Sequence, residues 1–293
     1  MLAFASNSLL CRGALKETSI DAASFTFVRI VSGAAALWLI MKARKRPSSV
    51  AAVYDRRTSG NWISAFALFG YAAAFSFAYN TLSAGTGALL LFGAVQATMI
   101  LWGFRKGERL RAIQILGLLV ALAGLVMLVF PGLSAPPLVG SILMLSAGVA
   151  WGVYSLRGKV KGQSGSDRDA IAATAGNFLR AVPFAALVSV IMLPTMHFDS
   201  LGVTYAVISG AITSGLGYVI WYVALTGLKA ASAATVQLSV PVLAATGGIL
   251  LLGEPITLRY IIASIAVLGG IFLVVIERQR GPGRTGSNQS LAK

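Results

Sequence analysis

The strongest structural signal in the chain is residues 84–130, AGTGALLLFGAVQATMILWGFRKGERLRAIQILGLLVALAGLVMLVF, because the same pattern returns as residues 230–276, AASAATVQLSVPVLAATGGILLLGEPITLRYIIASIAVLGGIFLVVI. The two stretches align without a gap, and eight of their 47 positions are identical. In each, a Gly-Glu pair (Gly107-Glu108 and Gly253-Glu254) separates two apolar runs, and a glycine follows the glutamate sixteen residues later. Generic hydrophobicity does not produce such a match. We therefore predict an internal repeat.

The composition indicates a protein whose main solvent is lipid. Of the 293 residues, 57% are hydrophobic and only 11% are charged, whereas a soluble domain carries about 25% charged residues. Such a chain has too few polar residues to cover a water-facing surface. The uncharged runs 58–104 and 112–156 are each long enough for two spanning helices, since one span needs about 20 apolar residues.

The apolar runs predict an all-α integral membrane protein with ten transmembrane helices. The predicted spans are residues 1–14, 22–42, 61–80, 84–104, 112–130, 138–156, 170–193, 201–226, 230–252 and 258–276. The first of them is short for a span.

The charged residues divide unequally between the two predicted faces. The loops after the even-numbered helices, with the C-terminal tail, hold nineteen Lys and Arg against five Asp and Glu, and the opposite loops hold three against four. Because Lys and Arg resist translocation, the basic face is predicted to be cytoplasmic. Both termini then lie inside, in a bacterial inner membrane. The net charge of +15 accordingly indicates topology and contact with the lipid bilayer, not nucleic-acid binding.

Each predicted repeat has five helices, so the second copy enters the membrane from the opposite side. The predicted organisation is a first five-helix repeat at 1–130, an inverted second five-helix repeat at 131–277, and a basic, disordered cytoplasmic tail at 278–293. Glu108 is then inside and Glu254 outside. Two inverted five-helix repeats are typical of transporters that give each side of the membrane alternating access to one shared site.

With Gly107-Glu108 before the fifth helix and Gly253-Glu254-Pro255 before the tenth, the chain resembles the drug/metabolite transporter superfamily, EamA type, over essentially its whole length. It is most similar to bacterial aromatic amino-acid exporters of the YddG kind. The resemblance implies a central cavity lined by helices one, three, four, six, eight and nine, with five and ten outside it. Members of the family usually have a tryptophan in the first helix, where this chain has Ser6.

Aromatic residues in three of those helices are candidates for binding the small-molecule substrate. They are Phe75 and Tyr79 in helix three, Trp151 and Tyr154 in helix six, and Tyr218 and Tyr222 in helix eight. Stacking on an aromatic substrate is worth roughly 0.5–1.5 kcal/mol per ring pair beyond burial. The alternative is that these rings sit at the membrane interfaces, where tyrosine and tryptophan collect.

Amide side chains within the spans are candidates for binding the polar groups of a substrate. Asn7, Gln96 and Gln237 can each donate and accept hydrogen bonds, and hydrocarbon offers no water to satisfy them. The alternative is that they join helices to one another. Pro241, which removes a backbone donor from helix nine, is a candidate hinge.

Two charged residues, Arg29 and Arg180, fall inside predicted spans. Each lies within two turns of a predicted helix end. A functional role and a side chain that reaches toward the interface are both alternatives, and we expect a structural anchor that is repeated in each half. Glu108 and Glu254 are expected to cap or pair near helix ends.

The sequence predicts no catalytic residue, metal site or cofactor. The chain has one histidine, His197, and neither a zinc-binding pattern nor a nucleotide-binding glycine loop. We therefore expect a transporter and not an enzyme, a monomer or weak homodimer, working as a uniporter or possible proton antiporter. A multidrug or other amino-acid exporter of the same fold is an alternative. A channel or lipid-handling membrane protein is an alternative of another class.

Overall fold

The computed structural model describes six parts of the chain: residues 1–43, 60–107, 111–132, 135–162, 167–227 and 236–279. The helices are α1 (Leu2–Glu17), α2 (Ala22–Ala43), α3 (Trp62–Tyr79), α4 (Ala84–Arg105), α5 (Ala112–Val129), α6 (Leu138–Gly162), α7 (Asp167–Ile191), α8 (residues 200–227), α9 (Ser239–Leu252) and α10 (Leu258–Gln279). A 3-10 turn, Leu193–Thr195, precedes α8. Within these six parts there is no β-strand.

Eight of the described helices, α2 to α8 and α10, are long and apolar enough to cross a membrane. The prediction of a multi-pass, all-helical membrane protein is thus confirmed. Helix α9 is apolar but shorter. Helix α1 has 16 residues and carries Arg12, Lys16 and Glu17 near its C-terminal end. It is therefore shorter and more charged than a typical spanning helix. The count of ten spans stays a prediction.

Helix α8 contains a feature that the sequence did not predict. Its ends, Ser200–Val207 and Gly217–Gly227, are α-helical, but Ile208–Leu216 forms a π-helical segment. Hydropathy identifies the span without identifying the hydrogen-bond spacing inside it, so the apolar pattern looks the same in both cases. Such wide turns occur often at functional sites, and this one faces α2 and α1.

The repeated glycines of the Gly-Glu motif end their helices. Gly107 follows α4 with φ 87°, and Gly253 caps α9 with φ 60°; both lie in the left-handed region that glycine adopts without strain. Next to Gly253, the backbone N–H of Glu254 donates to the carbonyl of Gly248 at 3.0 Å, which closes the last turn of α9. The motif is therefore a helix stop at both places. Glu108 lies outside the described residues.

Helices α5 and α10 form the most extensive contact in the described fold. The amide of Gln114 donates to the carbonyl of Val274 at 3.3 Å, and Gly117 and Gly270 face each other so closely that neither backbone leaves room for a Cβ. Farther along, Gly124 meets Ala266. Because residue numbers rise along one helix as they fall along the other, the two helices are antiparallel. Small residues at a crossing allow this close approach.

The remaining helices pack around a common centre. The main pairs are α4 with α9, α2 with α7 and with α8, α6 with α3 and with α4, and α1 with α8 and with α9. In the α4–α9 pair, Gly85 lies against Ala245 and Gln96 bonds to Gln237, so these helices are antiparallel as well.

Replacing Gly270 with alanine is expected to loosen the α5–α10 pair. Its Cβ would fall against the carbonyl oxygen of Gly117, and the N–H and side chain of Ala121 leave no alternative position. Overpacking of this kind costs about 1–3 kcal/mol. Gly269→Ala is the matched control, since a Cβ there meets nothing within 4 Å. Thermal unfolding of the purified protein in detergent should show a lower midpoint for Gly270→Ala alone; equal midpoints would contradict the packing.

Candidate functional site

Aromatic rings from four helices meet at the centre of the bundle. The ring centroid of Trp151 lies 4.9 Å from that of Tyr71, 4.9 Å from that of Tyr218 and 5.5 Å from that of Tyr154. Phe4 of α1 reaches the same indole at 6.2 Å. We call these five residues the aromatic cluster. Three of its members, Trp151, Tyr154 and Tyr218, were predicted from the sequence as site residues, and the structure brings them together.

Phe75 and Tyr79 continue the α3 face away from the aromatic cluster. The ring of Phe75 lies 5.4 Å from Tyr71 and 4.7 Å from Tyr79. The hydroxyl of Tyr79 donates to the backbone carbonyl of Ala84 at 3.3 Å. Tyr79 therefore ties α3 to the start of α4, while Phe75 connects it to the cluster. Tyr222 lies in α8, but its side chain is outside what the structure describes.

Asn7 is the centre of a buried polar group beside the cluster. Its Oδ1 accepts hydrogen bonds from the hydroxyls of Ser209 and Thr213, the second at 3.3 Å. Its Nδ2 donates to the hydroxyl of Tyr71 at 3.2 Å. Ser209 and Thr213 both belong to the π-helical segment of α8. The predicted polar residue of α1 is thus held by α8 and α3 together.

The side chain of Arg29 lies inside the bundle and does not reach toward the membrane interface, and a role as a structural anchor stays a prediction. Its side chain is only 2% exposed, and its guanidinium lies over the rings of Tyr71 and Phe75, at 5.2 Å and 4.9 Å from their centroids. Nε donates to the hydroxyl of Ser214 at 3.3 Å and Nη2 to that of Tyr71 at 3.0 Å. Because Gly210 has no side chain, α8 packs directly against the backbone of Arg29, where a Cβ would not fit. This close approach brings Ser214 of α8 within hydrogen-bond distance of the guanidinium.

Arg180 has different surroundings. Its Nη1 donates to the carbonyl of Gly176, one turn earlier in α7, at 3.0 Å, and its side chain is half-buried. These contacts agree with an anchor for the helix.

Gln96 and Gln237 also meet. The Nε2 of Gln96 in α4 donates to the Oε1 of Gln237 at 3.4 Å, and Gln96 is buried while Gln237 is half-buried. Pro241 lies in the first turn of α9, three residues after a turn at Leu238 that separates α9 from the helical residues 236 and 237. A hinge role for Pro241 stays a prediction.

One end of the bundle is joined by an ion pair. This mixed-charge end comprises residues 12–22, 80–84, 191–200 and 252–259. The Oε1 of Glu254 accepts from Nε of Arg12 at 3.1 Å, and its Oε2 accepts from the backbone N–H of Ala84, the first residue of α4, at 2.8 Å. Nη1 of Arg12 also donates to the carbonyls of Tyr79 and Asn80. The expectation that Glu254 pairs and caps near a helix end is confirmed.

Asp21 ties another connection into the mixed-charge end. Its carboxylate accepts hydrogen bonds from the hydroxyl of Ser24 and from the backbone N–H groups of Ala23, Ser24 and His197. Burial alone would raise the pKa of Asp21, but these hydrogen bonds outweigh it and lower the pKa below the ordinary value. The carboxylate thus stays charged and joins the start of α2 to the segment before α8.

The sequence reasoning missed Arg29, Phe4 and the three hydroxyl residues of α8, Ser209, Thr213 and Ser214. A signal for Arg29 was present, because a charge within a span is a functional hypothesis by default. No sequence signal indicated Phe4 or the π-helical hydroxyls, since their importance comes from contacts with residues far away in the chain. Among the described residues, no group of His, Cys, Asp and Glu could hold a metal ion.

Cys11 provides a test of the ion pair, because it is the chain's one cysteine, precedes Arg12 and is 0% exposed. Glu254→Gln removes the negative charge that holds Arg12. We expect this variant to open the mixed-charge end and to raise the rate at which a membrane-impermeant maleimide modifies Cys11 by several-fold. Glu17→Gln, which changes an exposed acid at the same end, is the control and should label at the wild-type rate. Equal labelling of all three proteins would contradict a closing role for the ion pair.

Comparison with known proteins agrees with this architecture. The EamA-like transporter family matches residues 1–130 and 138–276. An uncharacterized protein of Pseudomonas aeruginosa is 54% identical over 98% of this chain and 96% of its own length. The threonine/homoserine exporter RhtA of Salmonella typhimurium is 29% identical over 59% of this chain and 58% of its own length. A protein of known crystal structure, 18% identical, has a TM-score of 0.65 over 95% of this chain and 96% of that chain, so it shares the fold.

Proposed function

This chain belongs to the EamA-like transporter family, and we propose that it exports small organic metabolites, foremost aromatic amino acids, by alternating access to a site at the aromatic cluster. The observation that carries the proposal is the arrangement around Trp151: aromatic rings on several sides, with the amide of Asn7 and the hydroxyl of Tyr71 beside them. An aromatic solute would gain stacking contacts there. Its polar groups would find buried hydrogen-bonding partners.

The helix packing supports two inverted repeats. In the proposed repeat, α1 to α5 are equivalent, in order, to α6 to α10. The equivalent of the α3–α6 pair is then α8–α1, and the equivalent of the α4–α6 pair is α9–α1. All four of these pairs are in contact. The pairs α5–α10 and α4–α9 map onto themselves, and both are antiparallel, as inversion requires. Two copies of one unit in opposite orientations give two related conformations around a shared site.

The charge distribution supports an orientation with both termini in the cytoplasm of a bacterial cell. In the described parts of the chain, Lys42, Arg105, Lys106, Arg111 and Arg157 lie near helix ends opposite the mixed-charge end; we call that side the basic end. Because basic residues resist translocation across the inner membrane, the basic end is proposed to face inward. The ion pair of Arg12 and Glu254 then faces outward.

The energy source proposed is the substrate gradient itself. Among the described residues, Arg29 and Glu254 are the buried side chains of the Lys, Arg, Asp and Glu types, and the acid lies at the mixed-charge end, away from the aromatic cluster. No acidic proton relay is therefore evident in this part of the chain, which favours a uniporter or facilitator. Proton antiport is the alternative, with Glu254 as the group to test. Export by one chain needs no second subunit, since one chain carries the whole cluster.

A second candidate function is export of threonine-like or other amino acids. The observation that favours it is the likeness to the threonine/homoserine exporter RhtA. Multidrug export would instead favour lipophilic cations. A channel or lipid-handling protein would give sustained conductance or lipid scrambling in place of saturable exchange.

Counterflow in proteoliposomes separates these candidates. Purified protein is reconstituted and loaded in turn with unlabelled phenylalanine, tryptophan, threonine and a lipophilic cation, and uptake of the labelled compound is followed. We expect exchange of phenylalanine and tryptophan to exceed that of threonine and of the cation. No exchange of either aromatic amino acid would overturn the assignment of substrate.

Trp151→Ala is expected to lower phenylalanine counterflow by about tenfold or more, because it removes the ring that every other member of the cluster contacts. Trp38→Ala is the matched control. Trp38 is 57% exposed on α2, so its loss should leave transport unchanged. Folded protein is verified by gel filtration in both cases. Wild-type transport by the Trp151 variant would count against a site at the aromatic cluster.

A further inference from the structure

Arg29 holds a positive charge at the centre of the bundle with neutral partners. Its guanidinium donates to two hydroxyls, those of Tyr71 and Ser214. The third nitrogen, Nη1, is buried without a hydrogen-bond partner. Hydroxyl groups satisfy donors, but they do not neutralise a charge. Leaving part of a buried guanidinium unsatisfied is costly in an apolar interior.

The acidic side chains that the structure describes form no ion pair with Arg29. They are Glu17, Asp21, Asp199 and Glu254, all at the mixed-charge end. Within the described residues, the one ion pair joins Arg12 to Glu254. An arginine whose role was purely structural would be expected to have an acidic partner or a path to the interface. Among the side chains that the structure describes, Arg29 has neither, so its arrangement points to a ligand that supplies the negative charge.

The hydroxyl of Tyr71 connects Arg29 to the proposed substrate site. It accepts from Nη2 of Arg29 at 3.0 Å and from Nδ2 of Asn7 at 3.2 Å. The ring of the same tyrosine lies 4.9 Å from that of Trp151. The charged group and the aromatic cluster are therefore neighbours that share one residue, which suits a ligand with an anionic group close to an aromatic ring.

We propose that the guanidinium of Arg29 binds the carboxylate of the transported substrate while the aromatic cluster contacts its ring. This inference rests on the proposed function and narrows it: the substrates are aromatic compounds that carry a carboxylate, and lipophilic cations are excluded by the charge of Arg29. A carboxylate oxygen would accept from Nη1, forming a charge-assisted hydrogen bond of the strong kind. Binding would then give Nη1 of Arg29, which is buried without a hydrogen-bond partner, an acceptor.

The test compares three ligands that differ in one group each. L-phenylalanine carries both charges, L-phenylalaninamide lacks the carboxylate, and 3-phenylpropionate lacks the ammonium group. Binding to the purified full-length protein is measured by isothermal titration calorimetry, and exchange by counterflow. We expect wild-type protein to bind phenylalanine and 3-phenylpropionate about tenfold or more tightly than the amide, since hydrogen bonds to charged groups are the stronger ones.

Arg29→Gln should remove this preference, because glutamine keeps a donor but not the charge. Arg29→Lys should keep the preference at lower affinity, since a point charge does not replace the planar guanidinium. Arg180→Gln is the control and should keep the wild-type ranking. If the glutamine variant is not recovered folded, the ligand series on the wild-type and lysine proteins decides the question.

Two outcomes would overturn the inference alone. One is that the wild-type protein binds and exchanges L-phenylalaninamide with the same affinity and rate as L-phenylalanine. The other is an Arg29→Gln variant that lowers affinity for all three ligands equally, as loss of a purely structural contact would do. Absence of binding and exchange for all three ligands in the wild-type protein would instead overturn the proposed function itself.

Discussion

In a membrane, a polar side chain must find its partners inside the protein, because hydrocarbon offers none. This constraint explains the centre of the structure. Arg29 of α2, Tyr71 of α3 and Asn7 of α1 form one chain of hydrogen bonds, and the π-helical segment of α8 completes it with Ser209 and Thr213. Four helices are thereby turned so that their polar faces meet. The same contacts that hold these helices together shape the proposed binding site.

Outside this centre, the structure depends on close apolar packing. Helices α5 and α10 pair through Gly117 and Gly270, and their other faces present side chains such as Leu119 and Ile265, which are 58% and 69% exposed, to the lipid. Neither helix contributes a ring to the aromatic cluster. This agrees with the expectation that helices five and ten lie outside the cavity. Among the described helices, the pair contacts mainly α4, and it takes no part in the proposed chemistry.

Much of the fold could be predicted because hydropathy measures directly what a membrane requires. Five helices begin in the structure at the residues predicted from the sequence, namely 22, 84, 112, 138 and 258. The Gly-Glu motif ends helices with glycines in the left-handed region. Trp151, Tyr154 and Tyr218 could be chosen because aromatic residues in uncharged spans are conspicuous. Their meeting point could not be predicted, since it depends on how the helices rotate against one another.

The omissions have a common physical cause. Arg29 was judged by its distance along α2 from the helix end, but burial depends on the neighbours that surround a residue. The π-helical segment of α8 and its Gly210 bring α8 against the backbone of Arg29, and nothing in a hydropathy pattern reports that contact.

The two ends of the bundle differ in a way that bears on alternating access. Under the proposed repeat, Arg12-Gly13 corresponds to Arg157-Gly158. Arg12 is paired with the carboxylate of Glu254 at the mixed-charge end. Arg157 donates instead to two neutral acceptors, the hydroxyl of Ser64 at 3.2 Å and the amide oxygen of Asn61 at 3.3 Å. Among the side chains that the structure describes, the two arginines therefore have acceptors of different kinds, a carboxylate for Arg12 and neutral oxygens for Arg157. Under the proposed alternating access, the mixed-charge end opens in one of the two conformations and the ion pair of Arg12 with Glu254 has to separate there, so the strength of this pair contributes to the equilibrium between the two conformations.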